Sequence, residues 1–286
     1  MKRIIVLGGT GMAGHVLATY LNECSYDVIS MSRSVEKNGK MISIDAEDIL
    51  SLSNSLDLAK PDVIINCIGI LIGESNERPD RAILLNSYLP KFLERKYIDK
   101  SVKIIHLSTD CVFSGKKGSY IESDIPDGET VYERTKFLGE INNNKDLTLR
   151  MSIIGPDLKK NSAGLFNWFM NQKNKINGFT RAMWNGVTTI ELARAVHAAI
   201  IQDLSGLYHL VPNEYIDKHN LLLLLQDIFN KTDVLVEPYD DYVIDKTLLN
   251  TRDDFDFIVK PYKEQINDMR DWVRKHKDLY NHYKVK

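Results

Sequence analysis

The stretch VLGGTGMAGHVL, residues 6–17, decides the fold because a run of glycines joins an apolar strand to a helix. Gly9 begins a G-x-G-x-x-G pattern, and Gly8, Gly11 and Gly14 share a three-residue spacing. Such glycines let the chain turn tightly and approach a diphosphate, while the helix N-terminus supplies N–H donors. The stretch therefore predicts a dinucleotide-binding turn. The residues expected to contact the cofactor here are Gly8, Thr10, Gly11, Met12 and Gly14.

On both sides of this turn, short β-branched runs alternate with helical segments as far as about residue 154. Strands of this kind are buried on both faces, and crossover helices separate them. The pattern is typical of an α/β fold with a doubly wound parallel sheet of the Rossmann type. The predicted strands are RIIVLG (3–8), YDVISMS (26–32), MISI (41–44), DVIINCIG (62–69), VKIIHLS (102–108) and LTLRMSI (147–153).

The same pattern divides the chain into two unequal parts. Residues 1–155, together with a helix at 188–203, form the predicted NADP-binding Rossmann domain, and residues 156–286 form a smaller α/β substrate-binding lobe. The strand GLYHLV (206–211) is assigned to that lobe. We expect a ligand cleft at the carboxyl ends of the parallel strands. The remaining predicted helices are 80–96, 130–143, 164–174, 217–230 and 262–278.

Composition excludes several classes of protein. The 37 basic and 39 acidic residues give a net charge of −2 without long runs of one sign, so neither nucleic acid nor a membrane surface is the expected partner. Cys24, Cys67 and Cys111 form no pair or cluster at metal-ligand spacing, which predicts no metal site and a reducing cytoplasm. No stretch approaches the ~20 apolar residues of a membrane span, and the start lacks a signal-peptide core.

The end of the second strand bears on the choice of cofactor. Enzymes that use NAD usually carry an acid here to bind the ribose 2′-hydroxyl, whereas this strand ends VISMSRS. Ser32 can donate a hydrogen bond and Arg33 can pair with a 2′-phosphate, so NADP(H) is preferred and NAD(H) stays open. The alternative is that Arg33 is a solvated loop residue. Asp45 is expected to cap the next helix.

The segment TVYERTKFLGE, residues 130–140, carries the catalytic candidates. Thr130 followed by Glu133 is a capping-box pattern, which starts a helix at Thr130 and places Tyr132 in its first turn. Lys136 lies four residues on, on the same face, where an ammonium can lower the pKa of a phenol from about 10. Tyr-x-x-x-Lys alone is weak evidence. Thr109, at the end of the preceding strand, adds a hydroxyl to the same cleft and makes the set suitable for carbonyl reduction.

These motifs resemble those of the extended short-chain dehydrogenases/reductases, and specifically the dTDP-4-dehydrorhamnose reductase-like family. The segments that carry the resemblance are GGTGMAG (8–14), LSTDCVFSGKKGSY (107–120) and YERTKFLGE (132–140). The resemblance implies an NADP(H)-dependent oxidoreductase that acts on a nucleotide-linked 4-keto-6-deoxysugar in the synthesis of surface polysaccharide. Relatives are often dimers, so it also allows a homodimer.

The resemblance further implies a role for individual residues. Tyr132 would protonate the carbonyl oxygen of the substrate. Lys136 would lower the pKa of the Tyr132 phenol and hold the nicotinamide ribose. Thr109 would hydrogen-bond the substrate oxygen. The residues that would line the cofactor are Asn66, Cys67 and Ile68, and those that would reach the substrate are Thr109, Asp110, Phe113, Trp184 and Asn185. For Asp110 a role in fixing the loop, and for Trp184 simple packing, are equally good interpretations.

Two departures from the family leave the sugar open. Glu133 replaces the glycine that usually follows the tyrosine, and RAMWNGVTTIELA (181–193) differs from the rhamnose enzyme, which leaves a UDP-linked N-acetylated deoxyhexosulose among the candidates. Cys111 stands where a dehydratase has glutamate, which argues against water elimination. A nucleotide-sugar 4-epimerase stays open, as does a non-enzymatic regulator like the β subunit of methionine adenosyltransferase.

Overall fold

A computed structural model describes residues 1–34 and 40–283 of the chain. The strands within these ranges are β1 (Arg3–Leu7), β2 (Asp27–Ser32), β3 (Lys40–Ser43), β4 (Val63–Asn66), β5 (Lys103–Leu107), β6 (Leu147–Arg150), β7 (Ile153–Ile154), β8 (Asn174–Phe179), β9 (Ala182–Trp184), β10 (Val187–Thr188), β11 (Gly206–His209), β12 (Ile216–Asp217), β13 (Val234–Tyr239) and β14 (Ile244–Asp245).

The α-helices of the described residues alternate with the strands through the first part of the chain. They are α1 (Met12–Glu23), α2 (Ile49–Ala59), α3 (Ile72–Glu77), α4 (Pro79–Ala82), α5 (Leu89–Lys96), α6 (Val131–Leu138), α7 (Leu165–Asn171), α8 (Thr189–Gln202), α9 (Lys218–Ile228) and α10 (Tyr262–Lys275). None of these helices has the length and apolar character needed to cross a membrane.

A parallel sheet of seven strands forms the centre of the described chain, in the order β11-β6-β5-β4-β1-β2-β3. Strand order reverses between β1 and β4, which confirms the predicted doubly wound Rossmann sheet. One face packs on α1 and α8, and the opposite face packs on α2 and α5, so the central strands β1, β4, β5 and β6 are buried on both sides. The reversal leaves a crevice at the carboxyl ends of β1 and β4.

The predicted boundary between the two parts is wrong at one strand. Gly206–His209, assigned above to the smaller lobe, is β11, the edge strand of the large sheet, where it pairs parallel to β6. The helix α8 is its crossover, and a helix and the strand it leads into belong to one βαβ unit. The last three residues assigned to that lobe, 284–286, lie outside the described residues.

The smaller lobe is built around two small sheets. β9 pairs with both β12 and β14, and β8 pairs with β13. The helix α10 packs on both α8 and α9, so the lobe shares its apolar core with one face of the large sheet. The two parts therefore form one packed body with a cleft at the strand ends.

A π-helical turn, Ile83–Tyr88, interrupts the helix predicted over 80–96. It places Asn86 in the interior, where the side-chain amide donates to Thr135 Oγ1 on α6 at 3.2 Å. The carbonyl oxygen of Asn86 lies so close to Gly139 that a Cβ at Gly139 would overlap it. Gly139 caps α6, which explains why this helix ends at Leu138 and is shorter than the predicted 130–143.

Candidate active site

The cofactor cleft lies at the carboxyl edge of the sheet and has a volume of about 530 Å³. Parallel pairing aligns Leu7 with Met31 and with Asn66, so the turns that follow three strands meet at this edge. These turns supply seven of the predicted cofactor residues to its lining. They are Gly8, Thr10, Gly11, Ser32, Arg33, Cys67 and Ile68.

The glycine turn has the geometry that a dinucleotide diphosphate requires. Gly8 has a φ of +80°, a conformation that favours glycine, and a Cβ on Gly14 would overlap the carbonyl oxygen of Gly8. The helix α1 begins at Met12, which is partly exposed and lies beside Gly164. Because α1 begins directly after the glycine turn, the free N–H groups of its first turn are oriented towards that turn. Gly14 therefore serves close packing, while Gly8 and Gly11 line the cleft and leave room for the diphosphate.

The end of β2 presents Ser32 and Arg33 to the cleft, as the sequence predicts. Arg33 is exposed, and Ser32 Oγ donates to Ser34 O at 2.5 Å. Asp45 also lines the cleft, but it does not cap the next helix. Asp48 is the N-cap of α2, whereas the Asp45 carboxylate accepts the N–H of Glu47 at 3.1 Å within the preceding turn.

The catalytic helix α6 begins as the sequence predicts. Thr130 accepts the N–H of Glu133, and the Glu133 carboxylate accepts the N–H of Thr130 at 2.9 Å, so both halves of the capping box are present. The same carboxylate forms an ion pair of 2.7 Å with Lys246, which follows β14 in the smaller lobe. This pair ties the smaller lobe to the first turn of α6, one residue from Tyr132.

Tyr132 and Thr109 lie together at the carboxyl edge of β5. Burial raises the pKa of the Tyr132 phenol above its usual value, the charge on Asp110 raises it further, and a hydrogen-bonding interaction with Thr109 lowers it. Thr109 Oγ1 itself donates to Asp110 at 3.0 Å and accepts the N–H of Cys111 at 3.1 Å. Tyr132 is therefore protonated at neutral pH, as a proton donor must be.

Lys136 lies one turn after Tyr132 on α6, near the cofactor cleft. Its ammonium donates to Leu107 O at 2.7 Å and lies near Gly69 and Cys67, both of which line the cleft. The side chain is only 5% exposed, and burial lowers the pKa of Lys136 to about 8, partly offset by the charges of Glu140 and Cys67. At neutral pH Lys136 therefore remains a cation near the cleft.

Asn66 is fully buried and does not reach the cleft. Its amide oxygen accepts the N–H of Ile68 at 3.2 Å, and its amide nitrogen lies 3.2 Å from Nδ1 of the buried His106. Asn66 therefore holds the turn that carries Cys67 and Ile68 and does not contact a cofactor itself.

Comparison with known proteins agrees with this geometry. The model of the RmlD substrate binding domain family matches residues 1–244. The chain belongs to this family. The RmlD family assignment agrees with the resemblance read from the glycine turn and from the segments 107–120 and 132–140.

Individual relatives of this RmlD-family chain have different activities in their names. Methionine adenosyltransferase 2 subunit beta of Xenopus tropicalis is 25% identical over 86% of this chain and 78% of that protein. The dTDP-4-keto-6-deoxy-D-glucose reductase of Streptomyces niveus is 31% identical over 48% of this chain and 46% of that protein. The dTDP-4-dehydrorhamnose reductase of Bacillus anthracis, solved in complex with NADP, has a TM-score of 0.78 at 18% identity, covering 94% of this chain and 98% of that one.

The expected substrate residues of this RmlD-family chain divide into two groups. Thr109 and Asp110 lie beside Tyr132, whereas Phe113, Trp184 and Asn185 are buried in packing. The Phe113 ring stacks on Tyr120 at 4.1 Å, Trp184 packs on Tyr262 at 5.4 Å, and the Asn185 amide donates to Leu248 O at 2.6 Å. Each of the three is at most 4% exposed, and Trp184 has the packing role given above as its alternative, so their contact with substrate stays a prediction.

The structure adds residues to the cofactor cleft that the sequence did not reveal. Arg81 lines it and forms ion pairs with Glu47 and Glu74. The segment that follows β7 contributes further polar groups, namely Asp157, Lys159 and Ser162. No short motif marks any of them, because they reach the cleft only through the packing of distant segments.

Proposed function

We propose that this chain is an NADPH-dependent reductase that converts C4 of a nucleotide-linked 4-keto-6-deoxyhexose from carbonyl to alcohol. The observation that carries the proposal is the position of Thr109, Tyr132 and Lys136, which lie at one edge of the sheet beside a cleft lined by a glycine turn. Arg33 at the same cleft supports NADPH over NADH, and the names of the reductase relatives support the substrate class.

The reaction needs one hydride and one proton. A reduced nicotinamide, when bound, supplies the hydride to the carbonyl carbon. Tyr132 gives its phenolic proton to the oxygen as that carbon is reduced, and its raised pKa keeps the proton in place until then. The Lys136 cation then stabilises the phenolate, which takes up a proton again from solvent.

Thr109 orients the substrate in this scheme. Its hydroxyl now donates to Asp110, and rotation about χ1 would redirect this donor to the substrate oxygen. The oxygen would then receive one hydrogen bond from Thr109 and one from Tyr132, and this pair of bonds would fix the carbonyl for attack from the cofactor side.

A second candidate is a regulatory subunit that does not turn over a sugar. The similarity to methionine adenosyltransferase 2 subunit beta favours it, because that similarity extends over 86% of this chain. A 4-epimerase is a third candidate, and it would use the same three residues without net consumption of cofactor.

The deciding experiment supplies the purified chain with NADPH and a panel of dTDP- and UDP-linked 4-keto-6-deoxysugars. Consumption of NADPH with stoichiometric formation of a reduced sugar supports the reductase. Interconversion of C4 epimers without net oxidation of cofactor supports the epimerase. Absence of both reactions across the panel, with NADPH binding intact, supports the regulatory subunit.

A further inference from the structure

Lys218 has a half-buried position that the proposed chemistry does not explain. It is the first residue of α9 and directly follows β12, in the smaller lobe. β12 pairs with β9 so that Ile216 lies opposite Trp184, and this register brings the Lys218 ammonium to 5.0 Å from the centre of the Trp184 ring. A side chain that would ordinarily extend into water is therefore held against an indole.

The ammonium of Lys218 faces the catalytic loop. Burial lowers the pKa of Lys218 to about 8, and the charge of Asp110, the residue that follows Thr109, opposes this shift. Lys218 is thus a cation at neutral pH, at the start of α9, whereas Lys136 belongs to α6.

This cation has no hydrogen-bond or ion-pair partner within residues 1–34 and 40–283. The neighbouring lysine, Lys246, contrasts with it, because Lys246 is paired with Glu133 at 2.7 Å. Withdrawal of an unpaired ammonium from water is costly, and contact with one aromatic face recovers only part of that cost. A site that keeps such a cation is preorganised for an anion that arrives with a ligand.

The reaction site limits what the anion can be. If the carbonyl of the substrate lies at Thr109 and Tyr132, the remainder of the molecule extends towards the smaller lobe and Lys218. A neutral 4-keto-6-deoxyhexose has no charge of its own, and the nearest anion in its nucleotide-linked form is the phosphate joined to the sugar. We propose that Lys218 binds the sugar-side phosphate of the substrate diphosphate, an inference that rests on the proposed function for the orientation of the sugar.

The test is calorimetric titration of the full chain, saturated with NADP⁺ so that the cofactor cleft is filled, with dTDP and with dTMP as probes. Lys218→Met keeps the length of the side chain and its packing on Trp184 but removes the charge. We expect this change to weaken dTDP roughly 10- to 100-fold and dTMP by much less, because dTMP lacks the second phosphate.

Two further variants keep the test decisive. Lys218→Arg should retain most of the dTDP affinity, and Lys218→Gln, which also removes the charge, replaces the Met variant if that one does not fold. Lys263→Met, which removes an exposed lysine of the same lobe, should change neither titration. Unchanged dTDP affinity in Lys218→Met, or equal losses for dTDP and dTMP, would overturn the inference.

Failure of the proposed function would look different. A wild-type chain that reduces no keto sugar, yet binds dTDP through Lys218, loses the reductase proposal and keeps the phosphate site. A chain that reduces the sugar with the same KM before and after Lys218→Met keeps the reductase proposal and loses the phosphate site.

Discussion

Two parts of the protein near Thr109 and Asp110, here called the two walls, each hold a lysine whose pKa burial lowers to about 8, but they hold it differently. On the large-sheet side, Lys136 donates to the carbonyl oxygen of Leu107 at 2.7 Å. On the small-sheet side, Lys218 lies over Trp184, and no described residue accepts a hydrogen bond from it. A similarly lowered pKa can therefore belong to a lysine that has a hydrogen-bond acceptor within the protein, as Lys136 has, or to one without such an acceptor, as Lys218 is.

The largest effect is expected on the large-sheet side, from Tyr132→Phe. Loss of the phenolic hydroxyl removes the proton donor, and general acid catalysis contributes roughly 10²- to 10⁴-fold. We expect kcat to fall by about that factor while the affinity for NADPH changes little, measured by steady-state turnover and by fluorescence titration. Tyr120→Phe removes a phenol that is buried outside the site and should retain activity. A fully active Tyr132→Phe would sink the assignment.

Lys136→Met should separate activity from stability. We expect turnover to fall about 100-fold, because the phenolate loses its neighbouring cation. Folding lowers the pKa of Lys136 from 10.5 to about 8, so its burial costs roughly 3 kcal/mol at pH 7. Removing the ammonium also leaves Leu107 O without its donor, which costs ~1–3 kcal/mol. These two effects nearly cancel, and urea unfolding at pH 7 should show little change.

The same variant has a distinct pH dependence. Below pH 8 the penalty for charged Lys136 is fully present, and between pH 8 and 10.5 it disappears as the folded state releases its proton. The wild type should therefore gain stability relative to Lys136→Met over that range. Lys103→Met is the control, since Lys103 is also buried but pairs with Asp203 far from the cleft. Parallel stability curves for wild type and Lys136→Met would contradict the burial argument.

Arg33→Asp should have a smaller and more selective effect. A carboxylate at this position would repel a 2′-phosphate and accept a hydrogen bond from a 2′-hydroxyl. We expect the affinity for NADPH to fall about tenfold or more and that for NADH to stay within about twofold, both from direct titration. Arg78→Asp, on the surface outside the cleft, is the matched control. Equal losses for the two cofactors would refute the 2′-phosphate contact.

The smallest effect is expected where the two walls meet, from Lys246→Met. Its pair with Glu133 is only 14% and 12% exposed, so its loss should cost about 1 kcal/mol in urea unfolding. A double-mutant cycle with Glu133→Gln isolates the coupling. If the two changes add independently, the ion pair does not link the smaller lobe to α6.

The two walls also differ in how far the sequence predicts them. The glycine turn and the start of α6 follow from local rules, since Gly8 needs a positive φ and Thr130 needs a partner three residues on. Lys218 could not be found in this way, because its place depends on the pairing of β12 with β9, whose residues are about 30 positions apart in the chain.

The errors of sequence-based prediction have a common physical cause. Packing that the sequence does not reveal buries Phe113, Trp184 and Asn185, whose contact with substrate stays a prediction. The π-helical turn at 83–88 was also missed, since nothing in ILLNSY distinguishes it from an ordinary helix. Tertiary packing decides such cases, and short segments do not encode it.

Both ends of the helix α6 contact other parts of the protein. At its far end Gly139 abuts the π-helical turn, and at its near end Glu133 is held by Lys246 from the smaller lobe. If a substrate that binds Lys218 displaces the smaller lobe, this ion pair would pass the displacement to the turn that carries Tyr132. Binding of the nucleotide sugar would thereby change the orientation of the Tyr132 hydroxyl, the proposed proton donor, without a movement of the glycine turn.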